Sequence, residues 1–129
     1  MTRGDAFGRS ELHYACVDGQ SGRVKDLVAS GADVTVADRN GWTPLHFAAQ
    51  ANSAALVEAL LSAGALVDAV DSNGNTPLFR ATFVSQGDGS VITLLLGAGA
   101  DPDKVNHSGV SPRKLAASIA NQDVHRFFP

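Results

Sequence analysis

Gly41-Trp42-Thr43-Pro44-Leu45-His46-Phe47-Ala48-Ala49 decides the fold, because it returns as Gly74-Asn75-Thr76-Pro77-Leu78-Phe79-Arg80-Ala81-Thr82. Fainter copies begin at Gly8, with Ser10-Glu11-Leu12-His13-Tyr14-Ala15, and at Gly109, with Ser111-Pro112-Arg113-Lys114-Leu115-Ala116. The glycines at 8, 41, 74 and 109 are spaced by 33, 33 and 35 residues. A fixed period of this size means one small unit used several times, each burying its apolar side against the next.

The unit from Gly41 to Asn73 shows the physical logic. Asn40-Gly41 is a turn pair, since glycine accepts positive φ without steric cost. Thr43 offers a capping hydroxyl and Pro44 fills the first helical position, where a missing N–H costs nothing. A short helix then runs through Gln50. A second is expected from Ala54 to Ala63, with Leu56, Val57, Leu60 and Leu61 on one side and Glu58 outward. Gly64 stops it. The same apolar slots recur as Val24, Leu27 and Val28, as Ile92, Leu95 and Leu96, and as Val124, Phe127 and Phe128. Gly31 and Gly99 repeat the stop.

The period, the Thr-Pro-Leu-His-x-Ala signature at Thr43 to Ala48, and the Gly-Ala-Asp triplets at Gly31 and Gly99 together resemble the ankyrin repeat. The resemblance covers roughly residues 5 to 128. It implies an all-α solenoid of about four helix-turn-helix units with projecting hairpin-like loops, forming one domain over 1–129. The units fall at 5–37, 38–70, 71–105 and 106–129. The first and last are more polar, as end units that meet water must be.

The chain has 129 residues, 44% hydrophobic and 18% charged, with a net charge of −3. That balance gives no electrostatic footprint for nucleic acid. Val91 to Leu96 is far too short an apolar run to span a bilayer, and residues 1–7 contain no secretory apolar region. A lone Cys16 fits a reducing, cytoplasmic setting. A monomer without cofactor or metal is expected.

No enzyme is expected either. His13 and His46 occupy equivalent positions, and the resemblance implies a structural hydrogen bond to Ser10 and Thr43. Cys16 aligns with Ala49, a small packed position, so its thiol is expected to be buried and inert. No zinc spacing and no phosphate-cradling glycine loop is present.

The repeat supplies its own control: shared residues are scaffold, and residues that break the pattern are candidates for contact. In such stacks the loop tips and the exposed side of the first helices form the binding surface. The partner-binding candidates are Arg39, Trp42, Gln50, Ser72, Asn75, Arg80, Phe83, His107 and Val110, with Asn40 and Asn73 serving their turns. Trp42 stands where other units have Arg9, Asn75 and Val110, so it is either a hot spot or a cover for loop backbone. Arg80 is either a snorkelling residue in a repacked core or a ligand contact. The third unit's connection, Phe83 to Gly89, is longer by two residues. No Lys or Arg separates Arg39 from Arg80, while Glu58, Asp68 and Asp71 lie between them, an acidic interval that would steer a basic partner. The last unit instead carries Arg113, Lys114 and Arg126 against Asp123.

These readings converge on a module that binds one partner protein. Small stand-alone arrays of this kind are similar to bacterial members, some of which resemble immunity proteins that block a toxin. A toxin-neutralising role and a regulatory or scaffolding adaptor are the two expected forms.

Overall fold

The computed structural model describes residues 6–119 and 124–129, so Asp5 and Asp123 lie outside the described residues. Among the described residues seven α-helices follow one another: α1 (Glu11–Val17), α2 (Ser21–Ala29), α3 (Pro44–Gln50), α4 (Ala54–Ser62), α5 (Pro77–Val84), α6 (Ser90–Gly97) and α7 (Pro112–Ser118). A 3₁₀ turn, Val124–Phe127, closes the series. The first helices α1, α3, α5 and α7 pack in one row and the second helices α2, α4 and α6 in another. No strand occurs among the described residues.

Each first helix starts by the same device. Ser10, Thr43, Thr76 and Ser111 sit in extended backbone, and their hydroxyls accept the N–H three residues on. Such a cap contributes about 1 kcal/mol. The second helices stop before Gly31, Gly64 and Gly99, as the triplets predict.

Leucines and β-branched residues from both rows fill the space between them, chiefly Leu12, Val24, Leu45, Leu56, Leu60, Leu78, Ile92 and Leu95. Ala15, Ala48, Ala49 and Ala81 are buried as well, and their small size lets neighbouring first helices approach closely. Cys16 joins them at 0% exposure.

The projecting loops are hairpin-like in their bonding. Each closes on itself, with the N–H of Asp38, Asp71 and Asn106 donating to the carbonyls of Trp42, Asn75 and Val110. Each also ties to the preceding loop: Arg39 N–H to the Phe7 carbonyl at 2.8 Å, Ser72 to Asn40 at 2.9 Å, His107 to Asn73 at 3.0 Å. Gly41 has φ 78°, and a Cβ there would come within 2.9 Å of the Asp71 backbone. Only glycine meets both demands.

The last unit departs from the pattern. Ile92 follows Gly74 by 18 residues, whereas Val124 follows Gly109 by only 15. The slots are still filled, with Val124 buried and Phe127 and Phe128 packed on the core, but by a single 3₁₀ turn. Phe127 finds its seat on the longer connection of the third unit. There Gln86 and Gly87 take positive φ, 49° and 88°, and a Cβ on Gly89 would lie 2.5 Å from the Phe127 ring. The two extra residues therefore have a packing role.

A first-helix face built from exchanged side chains

The face is assembled from two positions per unit. One is the turn residue before the cap, which is Arg9, Trp42, Asn75 or Val110. The other lies on the first helix, four residues after the cap, and is Tyr14, Phe47, Arg80 or Leu115.

A third residue, the first of each of the last three units, supports them. Asp38 Oδ1 accepts the N–H of Asn40 and of Trp42, both at 2.9 Å. Asp71 Oδ1 does the same for Asn73 and Asn75, and Asn106 Oδ1 for Ser108 and Val110. These side chains, not those of Asn40 and Asn73, organise the turns. Their second atom reaches back to the preceding unit. Arg9 Nε donates to Asp38 Oδ2 at 3.3 Å, an ion pair whose carboxylate is fully buried. Asn106 Nδ2 donates to Asn75 Oδ1 at 2.8 Å. Asp71 Oδ2 is buried without a hydrogen-bond partner, because the equivalent residue there is Trp42. Asp71 is 4% exposed, so it adds nothing to an acidic surface.

The side chains stack in an alternating row. The Arg9 guanidinium lies 4.6 Å from the Phe7 ring centre, 5.9 Å from that of Tyr14 and 4.9 Å from that of Phe47. The Phe47 ring centre is 4.7 Å from that of Trp42, and Arg80 lies 4.8 Å beyond Trp42 on this row. The guanidinium thus comes from the turn in the first unit and from the helix in the third. A cation over an aromatic face contributes about 0.5–2 kcal/mol.

Two hollows open on the row and share Arg9 and Phe47 as walls. One, of about 310 Å³, lies toward the loop tips and includes Trp42, Ser72 and Asn73. The other, of about 320 Å³, includes Val17, Gln50 and Ala51. A wider gap of about 440 Å³ between α2 and α4 is walled mainly by Val28 and alanines, with Lys25, Glu58 and Ser62.

Trp42, Ser72 and Gln50, which the sequence singles out, are therefore brought together around Arg9 and Phe47. Trp42 is half-buried and packs on the His46 and Phe47 rings. Arg80 is partly buried against Trp42, and its Nε is covered without an acceptor. Phe83, farther along α5, is 58% exposed. Arg39 and His107 are exposed at their tips, and Val110 is half-buried. Asn75, at 7% exposure and accepting from Asn106, is a strut between loops. Arg9 and Phe47, which wall both hollows, lie outside the partner-binding candidates, although the swap of arginine and aromatic between the two positions is visible in the sequence. The Asp/Asn-x-x-Gly spacing at Asp38, Asp71 and Asn106 also announces the turn organisers.

The histidines hold the stack together. The backbone N–H of Ser10 and of Thr43 donates to Nδ1 of His13 and His46. Each ring therefore carries its proton on Nε2, which donates to the Trp42 and Asn75 carbonyls of the next unit at 2.8 and 2.9 Å. Burial, with a smaller contribution from the Arg80 charge, lowers the His46 pKa below its usual 6.5, against opposing pulls from the Asn75 carbonyl and from Asp71 and Asp38. Burial also pushes the Cys16 thiol up to about 12, so no thiolate forms near neutrality. Among the described residues no group of histidine, cysteine and carboxylate side chains is placed to hold a metal ion. No described helix is long and apolar enough to cross a membrane.

Paired short helices, a loop ladder and an aromatic–cation face on a repeated scaffold define a helical repeat array. The chain matches ankyrin repeats, in three copies, over residues 12–106, and it belongs to the ankyrin-repeat family. No curated protein matches it. Ankyrin repeats are generally protein–protein interaction modules.

Proposed function

We propose that this chain is a non-enzymatic module that holds one partner protein on its first-helix face and loop tips, working as a monomer in the cytoplasm. One observation carries the reading. The side chains that break the repeat (Trp42, Gln50, Arg80 and Phe83) lie along the row of first helices, and Trp42 and Gln50 each wall one of the hollows of about 310 and 320 Å³. Nothing in the stacking of units requires a tryptophan or an exposed phenylalanine there. Large amphipathic rings on a rigid scaffold lose little entropy on binding and are typical anchors. The toxin-neutralising form draws no support from this face, because Asp71 is buried and Glu58 lines the gaps between second helices. Regulation or scaffolding fits equally, and both use the same surface.

The test is affinity capture from native lysate with the natural chain and with Phe83→Asp and Gln50→Arg. A specific protein held by the natural chain and lost with both variants is expected. Capture that is indifferent to both changes overturns the reading.

A further inference from the structure

The proposed protein-binding face has one place where its charge is unanswered, and the inference rests on that reading. We infer that Arg80, stacked on Trp42, receives an aspartate or glutamate carboxylate from the partner protein. Two arginines flank the same aromatic pair and have opposite fates. Arg9 lies over Phe47 and is neutralised by the buried Asp38 carboxylate. Arg80 lies over Trp42, and among the described residues no carboxylate or carbonyl accepts from it. The position that would answer it is spent otherwise. Asp71 gives Oδ1 to the N–H groups of Asn73 and Asn75, and its Oδ2 stays enclosed.

Stacking sharpens this opening. A guanidinium laid over an indole loses rotational freedom, and with the Arg80 Nε covered, the edge left to a partner is that of its two terminal Nη groups. That edge matches the two oxygens of a carboxylate. An arginine held so gains a bidentate partner at low entropic cost. The charge around it points the same way. Asp38 and Asp71, the carboxylates that open the second and third units, are both buried. The exposed carboxylates Asp18 and Asp88 lie at the opposite end of the first helices, where they join the second helices. A partner segment would therefore place its acid toward the loop tips and its apolar side chains toward Phe83, which is 58% exposed.

Trp42 is the chain's one tryptophan, so its emission reports on Arg80 directly. The full-length chain is titrated at low salt with octaglutamate and, separately, octalysine. Octaglutamate is expected to shift the emission saturably, and octalysine to leave it unchanged. Arg80→Gln should weaken octaglutamate binding at least about tenfold, as loss of a charge-assisted pair predicts, and Arg126→Gln should not. Should Arg80→Gln fail to fold, the Arg80 Nε–H resonance of the natural chain must move on adding octaglutamate. A silent tryptophan, an unmoved Nε–H, or an Arg80→Gln chain that binds as tightly as the natural one overturns the assignment. If those results come with capture that still depends on Phe83 and Gln50, only the carboxylate assignment fails. If octaglutamate binds at Arg80 while capture ignores Phe83 and Gln50, the protein-binding reading fails instead.

Discussion

Asp38 and Asp71 are the same residue at the same position of two units, 33 residues apart, and they differ in one bond. Asp38 Oδ2 meets Arg9; Asp71 Oδ2 meets no hydrogen-bond donor. Removing one partner of a buried pair leaves the other uncompensated, whereas removing an already unpaired charge costs little. Asp38→Asn should therefore destabilise the chain by about 1–3 kcal/mol. Asp71→Asn, which copies the natural Asn106 and keeps Oδ1 in place, should be neutral or stabilising. Urea denaturation of the two variants reads the contrast directly, and equal losses would contradict it. His46 makes a second residue-scale prediction. Its folded pKa lies below the unfolded value of 6.5, so the unfolded chain binds the proton first. The stability it contributes is complete above pH 6.5 and declines as pH falls toward the lower folded value. His46→Phe, a residue the third unit already carries as Phe79, should cost about 1–3 kcal/mol at pH 8. It should also flatten this part of the acid-side decline. Unfolding curves between pH 8 and 5 test both, and an unchanged acid slope would count against the histidine.

At the scale of the element, the most informative segment is the connection from α5 to α6. Gly89 is buried under Phe127, which makes a glycine position dependent on a residue far along the chain. Gly89→Ala should cost about 1–3 kcal/mol through overpacking. Paired with Phe127→Ala, it should cost distinctly less than the sum of the two single changes, because the truncated ring makes room. Additive losses in thermal or urea unfolding would show that the two residues do not share this space. Helix starts and stops were legible in the sequence because caps, prolines and glycines act locally. The 3₁₀ turn was not. Val124, Phe127 and Phe128 advertise the right apolar spacing, but whether they wind as α or 3₁₀ depends on how many residues remain to reach the core. The side chains at the face were half legible for a related reason. Departures from the repeat mark Trp42 and Arg80, yet only the fold shows that Arg9 and Phe47 join them, or that Asn75 turns inward.

For the whole molecule, stability is a sum over units and the joints between neighbours. The joints are unequal. His13 and His46 each donate across a joint, while Phe79 has no ring nitrogen with which to cross the next one. That last joint keeps the His107–Asn73 backbone bond, the Asn106–Asn75 amide bond, the Arg113–Pro102 backbone bond and a solvent-exposed Arg113–Asp103 ion pair, the kind that contributes little. Opening should therefore begin there. Native-state hydrogen exchange is expected to release the amides of α7 before those of α3, and the reverse order would show that the histidine bonds do not set the ranking.

The loop ladder gives that ranking a mechanical meaning. Its bonds join Phe7 to Arg39, Asn40 to Ser72 and Asn73 to His107, so they run along the stack and would be loaded in series by a pull on its ends. A chain under tension parts at its weakest link. Here that link is the one from which Phe79 withholds a bond, so the last unit would come away first and leave the surface around Trp42 intact.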